Sequence, residues 1–171
     1  MKRTYDTRLE RFRLANELST TEWASAAGLS RQSFLRARAG RDIYLRTLRV
    51  IVRSAGELVG RLVEARELFD VGEDTPTILV IQPAEVAEYI RAAFKPYPTN
   101  LDRILRREQI TPTNFGEHVH VARQTLLRYR AGQEEPSLFI LARIVRTLRQ
   151  MTGRPYRARY LYDVGELATA A

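Results

Sequence analysis

The chain has 171 residues, 44% of them hydrophobic, with only 9 glycines and 7 prolines, so it can bury a core as one ordinary domain or as two small ones. It contains no cysteine, which excludes a disulfide framework and any thiolate metal site. The 28 Lys+Arg against 20 Asp+Glu leave a net charge of +8, carried almost wholly by arginine because Lys2 and Lys95 are the only lysines, and this favours an anionic partner. Arginine-rich codon usage would give the same total, so the positions of the charges must decide. No apolar run approaches the ~20 residues of a membrane span, and the opening MKRTYDTRLERF lacks the apolar core of a signal peptide. A soluble cytoplasmic, nucleoid-associated protein is expected.

The chain repeats itself. Tyr5 to Asp42 align with Tyr97 to Glu134 at an offset of 92, and after one inserted residue Leu45 to Glu73 align with Leu138 to Glu166 at an offset of 93. RQSFLRARAG (Arg31 to Gly40) and RQTLLRYRAG (Arg123 to Gly132) share seven of ten residues, and both copies close on the tetrad Asp-Val-Gly-Glu, at Asp70–Glu73 and Asp163–Glu166. A period of this length is that of a duplicated domain rather than of a solenoid. The expected organisation is a first domain over 5–74, a structured spacer over 75–96 and a second domain over 97–167.

In chain order, Leu9, Phe12 and Asn16, like Leu101, Ile104 and Leu105, fit a first amphipathic helix. Ser19-Thr20-Thr21-Glu22 is a capping box opening a second helix, and in the second copy Thr111 caps while Pro112 takes the first helical position. That helix ends near Gly28, where glycine tolerates a positive φ. Ser30 caps a third helix, 31–39, stopped by Gly40; its counterpart, 123–131, stops at Gly132. Leu48, Ile51, Val52 and Ala55 make the stripe of a fourth helix, repeated by Leu141, Ile144, Val145 and Leu148. Gly60-Arg61 and Gly153-Arg154 mark its end, and Leu68-Phe69 and Leu161-Tyr162 are apolar enough to fold back on the core. Trp23 and Phe115, at one aligned position, are expected in the core. In the spacer, Ile78 to Ile81 reads as strand or helix. A helix over 83–94 would line up Val86, Ile90 and Phe94, a stripe that could pack against a domain or pair two chains into a homodimer.

A helix, a glycine-centred turn and a helix rich in Arg and Gln recur at residues 18–40 (LSTTEWASAAGLSRQSFLRARAG) and 110–132 (ITPTNFGEHVHVARQTLLRYRAG). These stretches resemble the lambda-repressor and Cro-like (Xre) helix-turn-helix family. The resemblance covers both repeats and leaves only spacer and tails outside. It implies an all-α fold of two tandem helix-turn-helix domains, each of four to five helices, and a bacterial or phage transcriptional regulator, expected to repress by occupying an operator. The second copy departs at the turn, with His120 in place of glycine; histidine is among the residues that tolerate that backbone. Both copies also have Arg38 and Arg130 where the family commonly has Glu. A reversed salt bridge to the first helix, through Glu10 and Asp102, is the expected substitute.

The geometry of a helix in the major groove gives the residues their roles. Arg31 and Arg123 can grip guanine O6 and N7, and Gln32 and Gln124 can grip adenine N6 and N7. One turn on, Leu35 and Leu127 suit a thymine methyl, followed by Arg36 and Arg128. Phe34, Ala37, Leu126 and Tyr129 should face the core. The expected phosphate contacts are Thr20, Ser33, Arg38, Arg41 and Arg46 in the first copy and Thr113, Thr125 and Arg130 in the second, with helix N-terminal amides. The expected partner is double-stranded DNA carrying two similar half-sites. They would be inverted and about 34 Å apart if the domains are related by a twofold, or a direct repeat if by translation.

Other chemistry is poorly represented. His118 and His120 have no third ligand, and no metal, cofactor or small-molecule ligand is expected. Glu134-Glu135 and the Asp70/Glu73 pair lack a partnering base and are expected to be solvated. No phosphate-cradling glycine loop, G-x-S-x-G or H-E-x-x-H occurs, so no enzyme is expected. The competing readings are a protein-interaction adaptor or antitoxin on the same scaffold, insensitive to salt and to Arg31 and Arg123, and a less specific nucleic-acid binder.

Overall fold

The structure, a computed structural model, describes residues 6–74 and 99–166, and its regular elements there are all helices. Extended pairing is confined, among the described residues, to one isolated antiparallel bridge between Tyr44 and Ser137. The spacer features, Ile78 to Ile81 and the 83–94 stripe, lie outside the described residues. No helix among the described residues is long and apolar enough to cross a membrane. Two compact units form: unit 1 takes residues 6–71, 137–139 and 163–166, and unit 2 takes 72–74, 99–136 and 140–162.

In unit 1 the helices are α1 (Arg8–Ala15), α2 (Thr20–Ala26), α3 (Arg31–Arg38), α4 (Leu45–Val59) and α5 (Ala65–Leu68). Local chemistry sets their ends. The hydroxyls of Thr7 and Ser30 accept the amides of Glu10 and Ser33 at 3.2 and 3.1 Å, satisfying donors that have no partner inside the helix. Ser19 does the same for Glu22 at a longer 3.5 Å. α4 stops at Gly60, which takes the left-handed conformation at φ 66°. The stripe of Leu48, Ile51, Val52 and Ala55 is buried throughout, and full burial of each leucine or isoleucine is worth about 1.5–3 kcal/mol. Leu9, Trp23 and Phe34 are fully buried with it, and the Trp23 and Phe34 ring centroids are 5.2 Å apart. The buried indole N–H of Trp23 donates to Ser54 Oγ at 3.0 Å, so the one polar atom of that ring is satisfied.

Unit 2 contains α6 (Asn100–Arg107), α7 (Pro112–Val119), α8 (Arg123–Arg130), most of α9 (Leu138–Thr152) and α10 (Ala158–Leu161). Thr99 and Thr111 cap α6 and α7 by accepting the amides of Asp102 and Asn114 at 3.1 and 3.3 Å. At the aligned Trp23 position Phe115 is fully buried, and the residue aligned with Ser54 is the buried Thr147. Tyr156 is buried and donates to Glu108 Oε1 at 2.7 Å; burial first, then that hydrogen bond, pushes its hydroxyl well above the ordinary tyrosine range.

The compact units and the sequence repeats do not end at the same places. In unit 1, Gly165 at φ 83° lies on the main chain of Arg49 in α4, and a Cβ there would overlap the Arg49 carbonyl. Arg49 Nε donates to the Asp163 carbonyl at 2.8 Å, and Glu166 accepts the Ala65 amide at 3.0 Å where α5 begins. Unit 2 holds the matching arrangement. Gly72, at φ 81°, lies on the main chain of Ala142 in α9, and Glu73 accepts the Ala158 amide at 2.9 Å where α10 begins. The expectation that Glu73 is merely solvated is thereby corrected: it is half-buried and caps a helix. The repeated tetrad keeps its glycine because the chain runs flush against a helix backbone, and its glutamate because a short helix needs an acceptor at its N-terminus.

Candidate nucleic-acid interface

The candidate interface is built on α3 and α8. Each follows a short helix through a turn in which one residue must adopt positive φ. In unit 1 that residue is Gly28, at φ 63°; in unit 2 it is His120, at φ 54° and ψ 48°. The turn survives without glycine, as the sequence suggested. Phe34 and Ala37 on α3, and Leu126 and Tyr129 on α8, are buried and fasten each helix to its unit.

With those faces turned inward, the opposite faces are presented to solvent. Arg31, Gln32 and Arg36 are exposed, as are Arg123, Gln124 and Arg128. Leu127 is an exposed apolar side chain at 37% accessibility. Leu35, at the aligned position on α3, is half-buried. Arg41 and Arg46, beyond the C-terminal end of α3, are exposed, with the Arg46 guanidinium 5.4 Å from the Tyr44 ring centroid. Thr113 is exposed on α7.

The remaining phosphate candidates are engaged within their units. Thr20 Oγ1 accepts from Arg38 Nη1 at 2.8 Å, Ser33 Oγ meets Ser30 Oγ at 2.9 Å, and Thr125 Oγ1 accepts from Arg128 Nη2 at 3.5 Å. Arg38 and Arg130 are placed in ion pairs rather than on a surface open to phosphate. Arg38 Nε lies 3.2 Å from Glu10 Oε2, and Arg130 Nε donates to Asp102 Oδ1 at 2.7 Å. Each arginine follows a buried residue, Phe34 or Leu126, by four positions, so the helix itself turns it inward. Glu10 and Asp102 are buried acids on α1 and α6, each shared with a second arginine of its own helix: Arg13 Nε at 2.9 Å and Arg106 Nε at 2.9 Å. The reversed salt bridge expected from the sequence is formed in both units.

Sequence reasoning missed one electrostatic contact on the candidate face. Arg128 Nε, on α8, lies 3.2 Å from Oε2 of Glu134 just beyond the helix, and both side chains are exposed. The signal was present, since an acid follows the helix at the same aligned position in each copy, Asp42 and Glu134. What the two acids touch differs. In unit 1, Asp42 accepts from Ser137 Oγ at 2.6 Å and from the Phe139 amide at 3.0 Å.

His118 is occupied by the carbonyl of Asn114, with Nδ1 at 2.8 Å. Among the described residues no group of three or more His, Asp or Glu side chains could hold a metal ion. No protein family, curated protein or solved structure matches this chain. Any functional reading therefore rests on its own residues.

Proposed function

We propose that the chain is a sequence-specific double-stranded DNA-binding regulator, expected to act as a repressor, built from two helix-turn-helix domains that read two similar half-sites through α3 and α8. One observation carries this reading. In both units an Arg-Gln pair, Arg31-Gln32 and Arg123-Gln124, stands exposed on the first turn of a helix whose opposite face is buried, with no side-chain partner among the described residues. A guanidinium with two parallel donors and an amide with one acceptor and one donor, held on a rigid helix and left uncommitted, match what base edges in the major groove require. A merely solvated basic helix has no reason to keep Arg-Gln in the same register in both copies while Ser33-Phe34 becomes Thr125-Leu126.

Arg41 and Arg46 supply charge beside the reading face, where they would neutralise phosphate and add affinity without sequence preference. No reaction is assigned to the chain.

The test is selection of binding sites from random duplex DNA by the full chain, repeated with Arg31→Ala and with Arg123→Ala. A two-part motif is expected, with each substitution blurring one part. If no motif emerges, or both variants select as the parent does, sequence-specific reading is wrong and a protein partner becomes the better account.

A further inference from the structure

Resting on that DNA reading, we infer that Glu134 holds Arg128 back from the DNA, so that the two recognition helices, alike in sequence, read their half-sites with unequal strength. The two helices carry the same four outward positions, Arg-Gln-x-x-Leu-Arg. Their last arginines differ in circumstance. Arg128 has a carboxylate 3.2 Å from Nε and a hydroxyl 3.5 Å from Nη2. Arg36, at the aligned position, is exposed and has no side-chain hydrogen bond or ion pair among the described residues.

The difference follows from where the two aligned acids are committed. Asp42 spends both carboxylate oxygens inside unit 1, on the Ser137 hydroxyl and the Phe139 amide, and its side chain is one methylene shorter than that of glutamate. Glu134 has the reach and stays within contact distance of Arg128. Because the Arg128–Glu134 pair is exposed, its strength is modest, and exposed pairs of this kind are worth a factor of about two to five in an equilibrium. A carboxylate beside the reading face also opposes the approach of phosphate. Both effects act on the second helix.

The experiment uses the full chain, the motif obtained by selection, and two duplexes in which one half or the other is scrambled. Glu134→Gln is compared with the parent and with Glu57→Gln, which removes the same charge from an exposed position on α4 of unit 1. Glu134→Gln is expected to bind the duplex that keeps only the second half-site about three-fold more tightly than Glu57→Gln does. On the duplex that keeps only the first half-site the two variants should be equal. Measured in an Arg128→Ala background, Glu134→Gln should give a clearly smaller gain, because only the relief of phosphate repulsion is then left. Equal affinities of Glu134→Gln and Glu57→Gln on every duplex overturn the inference while leaving the DNA reading in place. If selection yields no motif, the DNA reading falls and this inference falls with it.

Discussion

Arg38 Nε stands 3.2 Å from Glu10 Oε2, joining the third helix of unit 1 to its first through a carboxylate that is 4% exposed. The pair reverses the polarity expected at this place from the family resemblance and is duplicated by Arg130 and Asp102 in unit 2. α3, which carries the candidate reading residues, is thus tied to α1 through this buried ion pair and fastened to the unit by the buried Phe34.

The Glu10 carboxyl is held below the usual glutamate range chiefly by its hydrogen bonds from Arg13, against the effect of burial and with further help from the Arg38 charge. A folded-state value below the unfolded one means that the stabilisation is fully present above the ordinary glutamate range, near pH 4.3, and is lost as the pH falls through the lower folded value. Glu10→Gln should therefore lower stability by about 1–3 kcal/mol at pH 7. The gap between parent and variant should narrow at pH 3. Urea unfolding at both values checks this, and a gap of constant size would remove the ionised carboxylate from the account.

Arg31 and Arg41 should behave differently in binding. Arg31→Ala is expected to cost about 1–3 kcal/mol, concentrated on one base pair of the first half-site. Arg41→Ala should weaken all duplexes alike and lower the slope of log affinity against log salt by about 0.9. Titrations at several salt concentrations on matched and scrambled duplexes separate the two. A changed motif with an unchanged slope for Arg41→Ala would reassign that residue to base reading.

Two glycines of similar φ should respond unequally to alanine. At Gly28 a Cβ would meet nothing within 4 Å, so Gly28→Ala carries only the backbone cost of the left-handed region, about 1–2 kcal/mol. At Gly165 the same backbone cost is joined by overlap with the Arg49 carbonyl and Cα, which are main chain of α4 and cannot swing aside. Gly165→Ala should exceed Gly28→Ala by about 2 kcal/mol or more, read from chemical denaturation. Equal losses would show that the closing tetrad is not seated on α4.

His120 offers a stabilising change. It holds φ 54° with a Cβ, is exposed, and its side chain has no bond among the described residues. His120→Gly relieves the left-handed strain but adds freedom to the unfolded chain, so the net gain should stay below about 1 kcal/mol. Thermal unfolding of the two forms measures it, and a loss of stability would mean that the imidazole does more than occupy a turn.

Much of each unit is legible in the sequence because the signals are local. Ser30, Thr111 and Pro112 announce helix starts through groups one to three residues away, and Gly60 and Gly153 announce stops through their own φ. The stripe Leu48-Ile51-Val52-Ala55 names its buried face by spacing alone, and the same spacing from Phe34 to Arg38 points that arginine inward. Leu35 was harder to place, since a residue at the edge of a helix face is buried or exposed according to what its neighbours leave open.

By itself the sequence determined that the chain duplicates one helical unit, where its helices begin and end, and which side chains stand outward on two basic helices. These are consequences of periodicity, capping and backbone freedom, which act over a few residues. Apart from the Glu10–Arg38 and Asp102–Arg130 pairs, which the family resemblance suggested, tertiary structure alone decided the partners. It gave Asp42 to Ser137 and Phe139 but left Glu134 on Arg128, and it laid Gly165 against Arg49 and Gly72 against Ala142. Residues as far apart in the chain as Arg49 and Asp163, 114 positions, meet only after the core has set helix directions, and no local pattern records that contact.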